Sequence, residues 1–576
     1  MTSVASEHPA MPARWILPKP PDEDAVRALM EALSLPDIVC RLLLIRGYVT
    51  ADEAKLFLRP KLDRLHDPLM FLSMDRAVER LARAVREKDL VFIHGDYDVD
   101  GICSTTILTR AIRWLGGQAM PFIPRRIEDG YDLGDAGVNA AIAAGAKVVV
   151  TCDCGTAAVT PVAKLCEAGI DVIVTDHHLP SGELPDCLSI LNPKRPGCGY
   201  PDKDLAAVGV TFKLALALTR ALGGNENFIW AMLDLVALAT VADVAPLRGE
   251  NRVFVRYGLK MLAETRNVGM RALLRASGLD GKQLTAGRIG FILAPRLNAA
   301  GRLGHALRGV ELLLTEDEHQ ANVIARELEE LNRRRQEIDH ATLEQARERV
   351  LAMDLDEMFS IVLADDSWHP GVVGIVASRL VEEFGRPTVL IALTGDLGKG
   401  SGRSIPKFDL HGALGQAREH LLRYGGHRVA AGVTIARDKV PDFAARFNEI
   451  ARSQLTPADL VPEIRVDLEV SIEGLDARIE SLFRHFEPFG IGNPTPVLLA
   501  RNVVIARPPR VVGQDGLRLV LDTGTGSLDA IGWGLATRAL EFQPGTKVDI
   551  AFRLERDDYR GESYLQARIA DIVVCA

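Results

Sequence analysis

From about residue 90 to 245, short apolar runs alternate with helical patterns. The runs are 90–94, 119–123, 147–151, 171–175 and 188–191. They are nearly continuous rather than alternating, which predicts strands buried on both faces, and the helices between them predict a parallel sheet. Residues 20–85 read as helical, with Thr50-Ala-Asp-Glu53 in the form of a capping box ahead of Leu56 and Leu58. Residues 227–315 also look mostly helical. From 316 to 353 there is no Gly or Pro, and Ile324, Leu328, Leu331 and Ile338 recur at helical steps. That stretch predicts a helix of roughly 55 Å. Glu327, Glu329, Glu330, Arg333, Arg334 and Arg335 on its other faces suggest a solvated helix connecting two domains. Strands near 360–364 and 388–393 begin a second α/β segment. After about 460, short β runs separated by Gly turns predict a small barrel.

A chain of 576 residues is too long for one core, and ~100–200 residues per domain gives about three to five. The pattern divides it into a helical segment (1–80), a parallel-sheet domain (81–315), a connector helix (316–353), a smaller α/β domain (354–457) and a β-barrel domain (458–576). With 68 basic against 77 acidic residues, the net charge of -9 argues against coating nucleic acid by bulk charge, though not against a local basic channel. Aromatics are only 5%, so any base-stacking surface is small; Phe489 and Trp533 in the barrel region read as core. The apolar runs are strand-sized, so no membrane span is expected. Glu7 and several prolines before any apolar run do not resemble a secretory signal. Eight cysteines without a CxxC pair predict a reduced, cytoplasmic protein without structural zinc.

In an open parallel sheet, ligands gather at the carboxyl ends of the strands. Three strand ends carry acids or histidines: His94-Gly-Asp96-Tyr-Asp98-Val-Asp100-Gly101, Thr151-Cys-Asp153-Cys-Gly155 and Thr175-Asp176-His177-His178. A fourth group, Val241-Ala-Asp243-Val, closes an apolar helical run. Singly, each has a plain reading: a strand-end Asp often caps the next helix, and Asp100 before Ser104 and Thr105 fits that role. Together, so many carboxylates require neutralising cations. Carboxylates and imidazoles without thiolates suit Mn²⁺ or Mg²⁺. Gly101 and Gly155 read as leaving room for the ions.

The ordered set HGDYDVDG, DCG, TDHH and VADV resembles the DHH phosphoesterase superfamily. Further along, PRLNAAGRLGHA (295–306), WHPGVVGIVASRL (368–380), SGRS (401–404), GGHRVAAG (425–432), RGYVTADEA (46–54) and PFGIGNPTP (488–496) resemble its branch of single-strand exonucleases. The likeness runs from about 14 to 576. It implies an α/β fold: a parallel-sheet DHH domain, the connector helix, a smaller α/β DHH-associated domain and a C-terminal OB-like barrel. By resemblance, His94 and Asp98 hold one metal, Asp100, His177 and Asp243 the other, and Asp153 bridges. His178 joins the catalytic set, and Asp96 and Asp176 orient ligands. Arg126, Asn298, Arg302, His369, Ser401, Arg403, Gly425, Gly426 and His427 would contact phosphate or DNA, with Asn298 and Arg302 in a Gly/Ala-rich turn. The chain departs from the family pattern at Asp132 and Gly134 in the EDGYD loop.

The resemblance implies removal of mononucleotides from the 5′ end of single-stranded DNA by two-metal hydrolysis, without a covalent intermediate, in repair and recombination. A DNA helicase and a single-strand-binding protein are the implied partners of a monomer. Two alternatives are a phosphodiesterase for short oligoribonucleotides or cyclic dinucleotides, and a non-catalytic replication scaffold. The scaffold would lack metal ligands, and all expected positions are filled here.

Overall fold

The nearly all-apolar runs form a five-stranded parallel sheet in the order Gln118–Phe122, Leu90–Gly95, Val148–Cys152, Asp171–Thr175, Ser189–Leu191. The computed structural model describes residues 13–575 except 127, 131, 181 and 558–563. Successive strand residues enter different cores: Val91, Ile93, Val148, Val150 and Ile173 on one face, Phe92, Val149, Val172 and Val174 on the other. Burial of both faces removes the polar alternation of a half-exposed strand. Helices Met74–Glu87, Val99–Trp114 and Ala207–Ala221 contribute to the first core, Asp135–Ala143 and Val159–Glu167 to the second. Before the sheet, Thr50 Oγ1 accepts from Glu53 N at 3.2 Å and Glu53 accepts from Thr50 N at 3.0 Å, so the capping box forms.

By its contacts the chain splits into two units. The first comprises Leu56–Arg335 with Phe486–Pro494 and contains the parallel sheet. It also holds helices Leu233–Ala242 and Gly249–Ala263, a π-helical turn Ile289–Leu293 and helix Ala294–Leu303. Asn298 and Arg302 therefore sit on a helix, not in the turn their Gly and Ala neighbours suggested. Phe489 belongs to this unit rather than to the barrel.

The second unit contains the chain up to Lys55, Gln336–His485 and Thr495 onward. Its α/β part has the sheet order Arg423–Gly426, Ala430–Ala436, Leu397–Arg403, Thr388–Thr394, Ile361–Asp365, with only the last pair parallel. The C-terminal part has seven strands in the order Leu468–Glu469, Leu498–Val504, Lys547–Asp557, Tyr564–Val574, Ser527–Gly532, Gly516–Asp522, Arg510–Val512. A bridge from Ile505 to Leu521 draws the second strand of that order toward the sixth and curls the sheet. Trp533 is 54% exposed there, against the expectation of a core residue.

Helix Glu318–Leu351 passes from the first unit into the second over 34 residues, about 51 Å at ~1.5 Å per residue. It is less solvated than its charge suggests. Ala321, Ile324, Leu328, Asn332, Arg335, Asp339, Thr342, Ala346 and Val350 form a buried stripe along it. Its polar middle pairs internally or locally: Arg335 donates to Asn332 at 2.7 Å, and Arg379 lies 2.9 Å from Asp339. Among the described residues, no helix is long and apolar enough to cross a membrane, and all eight cysteines are free.

Candidate metal centre

Strand order reverses at Leu90–Gly95, the first strand of the sheet in sequence, which lies between the second and the third. Ligand sites in open α/β sheets lie outside the carboxyl ends at such a point. From Leu90–Gly95 the chain turns into helix Val99–Trp114, capped by Asp98, whose Oδ1 accepts from the N–H groups of Asp100 (2.9 Å) and Gly101 (3.2 Å). The cap is thus Asp98 rather than Asp100. The Asp100 oxygens accept from Ala207 N at 3.0 Å and Val208 N at 2.8 Å, at the start of helix Ala207–Ala221, where the helix dipole favours a carboxylate. The two glycines serve packing, not space for ions. A Cβ on Gly101 would meet Asp96 O at 2.3 Å, and one on Gly155, at φ +104°, would meet Thr151 Oγ1 at 2.6 Å.

Asp153 follows the third strand with φ 65°, a left-handed conformation that Asp adopts more readily than most residues. Asp153 Oδ1 lies 3.4 Å from His177 Nε2 and 3.9 Å from His178 Nδ1, and Asp243 Oδ2 lies 3.7 Å from His177 Nε2. Three triplets each bring their donor atoms within 4.8 Å: Asp96, Asp98 and Asp153; Asp100, His177 and Asp243; Asp153, His177 and His178. Asp153 is shared by two of them. Asp96, expected only to orient ligands, stands among the donors. His94 is in none of the triplets; its Nδ1 lies 3.6 Å from Cys154 Sγ, and its ring edge crowds Gly137.

Burial, then the charges of Asp100 and Asp98, pushes the Asp153 carboxyl well above the ordinary range. Burial and Asp98 push Asp100 up to about 7, and Asp96 also rises from burial and Asp98. Asp243 rises through burial and Asp100. Burial drops His177 to about 3 and His94 to about 4. For His178 burial is outweighed by the hydrogen bond and charge of Asp176, which lift it to about 9. Asp176, despite burial, is held below the carboxylate range by His178. Crowded acids whose burial and mutual repulsion outweigh the neighbouring charges of His178, Arg126 and Lys194 fit a cation site.

The donor set fits divalent cations. His94 Nε2, Asp96 Oδ1, Asp153 Oδ1 and His177 Nε2 are buried without a hydrogen-bond partner, an expensive state unless a ligand supplies one. Oxygen-rich donors with imidazole suit Mn²⁺ or Mg²⁺.

Sequence reasoning missed Asn192, just beyond the fifth strand. Its amide donates to His178 O at 2.8 Å and Thr156 Oγ1 at 3.0 Å, supporting the His178 backbone. The strand-end rule applied to 188–191 would have found it. Asp132, one of the departures from the family pattern, braces the loop after Asp153 by accepting from Gly155 N at 2.7 Å. Gly134 caps helix Asp135–Ala143, while Ile127 and Tyr131 of the same loop lie outside the described residues.

The Arg126 guanidinium sits 4.7 Å from the centre of the Tyr97 ring, between Asp96 and Asp98 in sequence. Asn298 accepts from Val99 N at 3.2 Å, and Gly301 on the same helix faces Tyr97 O so closely that a Cβ would come within 2.4 Å. Arg302 lies on that helix as well. In the second unit, His369 Nδ1 accepts from Gly371 N at 3.0 Å ahead of helix Val373–Phe384. Arg403 donates to Ser401 Oγ at 3.0 Å. Gly425 and Gly426 end strand Arg423–Gly426, and His427 N donates to Ala430 O at 2.8 Å across the following turn.

A parallel sheet with clustered carboxylates and histidines at its switch point, followed by a second α/β module, defines a DHH-type phosphoesterase. The DHH family N-terminal domain model matches residues 90–240, the DHHA1 domain 356–453 and the RecJ OB domain 466–571. The single-stranded-DNA-specific exonuclease RecJ of Bacillus subtilis is 37% identical over 564 residues, covering 97% of this chain and 71% of the relative. That of Escherichia coli is 35% identical over 566 residues, covering 93% and 96%. The crystal structure of RecJ with Mn²⁺ from Thermus thermophilus superposes with a TM-score of 0.84 at 33% identity, covering 97% of this chain and 79% of that one. The Mg²⁺ complex from the same organism gives 0.78 at 31% identity, covering 97% and 78%. The chain belongs to the RecJ family of single-stranded-DNA-specific exonucleases.

Proposed function

We propose that the protein is an exonuclease that hydrolyses single-stranded DNA from its 5′ end to mononucleotides, using two divalent cations, Mn²⁺ or Mg²⁺, in DNA repair and recombination. The observation that carries this reading is the convergence of Asp96, Asp98, Asp100, Asp153, His177 and Asp243 at the switch point, with Asp96 Oδ1, Asp153 Oδ1 and His177 Nε2 left without hydrogen-bond partners, in a chain of the RecJ family. When bound, the cations supply Lewis acidity that activates water and offsets charge in an in-line displacement. His94, Asp96 and Asp98 would hold one cation, Asp100, His177 and Asp243 the other, and Asp153 would serve both. Asp176 aims His178 at the reacting phosphate, and Asn192 fixes the loop that carries both histidines. Arg126, Asn298 and Arg302 bind the strand near the site. Ser401, Arg403, His369 and the Gly425–His427 loop bind phosphate, and the C-terminal strands hold the single strand.

A DNA helicase that generates single strands and a single-strand-binding protein that presents them are the natural partners of such a monomer. Free cysteines support a cytoplasmic setting. The test is release of nucleotides from oligonucleotides labelled at either end, with Mn²⁺ and with chelator. Cation-dependent release from the 5′ end of single-stranded DNA is expected. Preference for oligoribonucleotides or cyclic dinucleotides, or no turnover, would overturn the proposal.

A further inference from the structure

The PFGIGNPTP motif has no part in the chemistry above, yet all but its last two residues, with Phe486 and Glu487 before them, cluster as Phe486–Pro494 with the catalytic unit rather than with their sequence neighbours. It packs against the turn that follows Asp243. Asp243 caps helix Leu233–Ala242, and Val244 next to it has φ 62°. Ala245 N returns to Thr240 O at 3.3 Å, so Val244 occupies the left-handed position after a helix where Gly or Asn is usual. A β-branched residue resists that conformation and keeps it only where its surroundings fix it.

Val244 itself is 59% exposed, so the constraint acts through the rest of its turn, where the 486–494 segment engages Leu247 and Arg248. Leu247 N donates to Ile491 O at 2.7 Å, and Arg248 Nε donates to Gly492 O at 2.6 Å. Gly490 lies so near Leu247 that a Cβ would come within 2.7 Å of its Cδ1. The segment is itself locked by Asn493, 2% exposed, whose amide donates to Phe486 O at 2.7 Å and Pro488 O at 2.8 Å. Buried Arg252 donates to the same two carbonyls at 2.8 and 3.4 Å.

We propose that Phe486–Pro494 is a positioning strut for Asp243: it holds the Val244–Arg248 turn in its disfavoured shape and so keeps the Asp243 carboxylate aimed at His177, with Asn493 as its keystone. The proposal rests on the reading that Asp243 holds a cation. Asn493 is a positioning residue and touches no reacting atom.

The experiment measures Mn²⁺ binding by electron paramagnetic resonance of free Mn²⁺ on the full chain without DNA, together with steady-state kinetics across Mn²⁺ concentrations. Asn493→Ala is expected to weaken one Mn²⁺ site about tenfold. Its kcat should fall at limiting Mn²⁺ and recover at saturating Mn²⁺, with oligonucleotide affinity in chelator unchanged. Arg248→Ala, which removes only an exposed link, should shift Mn²⁺ affinity about threefold in the same direction without changing the melting temperature. Asp243→Asn should lose the site. A folded Asn493→Ala with parental Mn²⁺ affinity overturns the strut. If that variant does not fold, parental affinity in Arg248→Ala overturns it instead. Parental binding by Asp243→Asn would overturn the cation reading itself, and the strut with it.

Discussion

His178 Nδ1 lies 2.8 Å from Asp176 Oδ1, and the same oxygen accepts from the backbone N–H groups of His177 (2.7 Å) and His178 (3.1 Å). One carboxylate thereby sets the path of the histidine loop and the orientation of the outer ring. Asp176→Asn keeps the shape but loses the charge that lifts His178. We predict a ten- to hundredfold loss in activity or cation affinity, about the usual effect of removing a carboxylate behind a ligand, with the fold intact. Kinetics at varied Mn²⁺ with circular dichroism checks this; parental activity would make Asp176 structural only.

Asp153→Ala should abolish hydrolysis, because its carboxylate is the one shared by two of the donor triplets. Asp153→Asn, which removes the charge that burial and its neighbours disfavour yet keeps a residue tolerant of φ 65°, should also raise the melting temperature in chelator. Substantial turnover by a folded variant would sink the bridging role.

The strand ends were legible because apolar runs bounded by acids carry the signal locally. Other features are not local. Strand Arg14–Ile16 pairs with Glu463–Arg465, and three residues with a partner that distant in sequence have no periodicity to read. The buried polar middle of the long helix was hidden for a related reason: Arg335 reads as solvent-facing from its charge, and its burial with Asn332 and Asp339 shows only once their partners are known. The approach of Asp96 to Asp98 and Asp153 depends on the turn into the Asp98 cap, which residue spacing does not reveal. The role of Phe486–Asn493 depends on contacts with residues 247–256, far away in sequence.

The acids and His178 also dictate a pH dependence. Without cations Asp100 is raised from 3.8 to about 7, and Asp96, Asp153 and Asp243 shift the same way. A raised folded pKa contributes stability that is present below the unfolded value and lost as pH rises through the folded one. His178, raised to about 9, adds loss over the same interval. His94 and His177 are lowered from 6.5, so above about pH 6.5 they are largely neutral in both states and contribute little. The melting temperature in chelator should therefore fall from about pH 6.5 to 8.5, and Mn²⁺ should raise it more at the upper end, since cations replace protons. Thermal scans across that window check the sign; a rising melting temperature in chelator contradicts it.

Trp533, exposed beside Gly516, offers an aromatic face on which a base can stack. Trp533→Ala should weaken single-strand affinity by roughly 1–3 kcal/mol, the usual value for one stacked base, and leave kcat for bound strand unchanged. Fluorescence anisotropy with a labelled oligonucleotide decides. A point substitution is cleaner than truncation at 460, which would also remove Phe486–Pro494 from the catalytic unit.

Polarity needs a feature that the metals cannot provide, since internal phosphodiesters look alike from both ends. A 5′ end carrying a phosphate differs by charge, about -2 at neutral pH. Arg403 ends strand Leu397–Arg403 with its guanidinium donating to Ser401 Oγ at 3.0 Å and Gly402 O at 2.8 Å. Helix Val373–Phe384 approaches both through Gly374, where a Cβ would come within 2.8 Å of Ser401 Oγ and 3.1 Å of Arg403 Nη2. A guanidinium and a hydroxyl side by side, with glycine backbone close at hand, suit a phosphate monoester. We predict that Arg403→Ala raises KM for 5′-phosphorylated strands and narrows their advantage over 5′-hydroxyl strands. Loss of one charge-assisted bond, roughly 1.5–3 kcal/mol, corresponds to about a ten- to hundredfold fall in kcat/KM. Paired oligonucleotides differing only in that phosphate give the comparison. If the preference survives undiminished, end recognition lies elsewhere and Arg403 only supports its own strand.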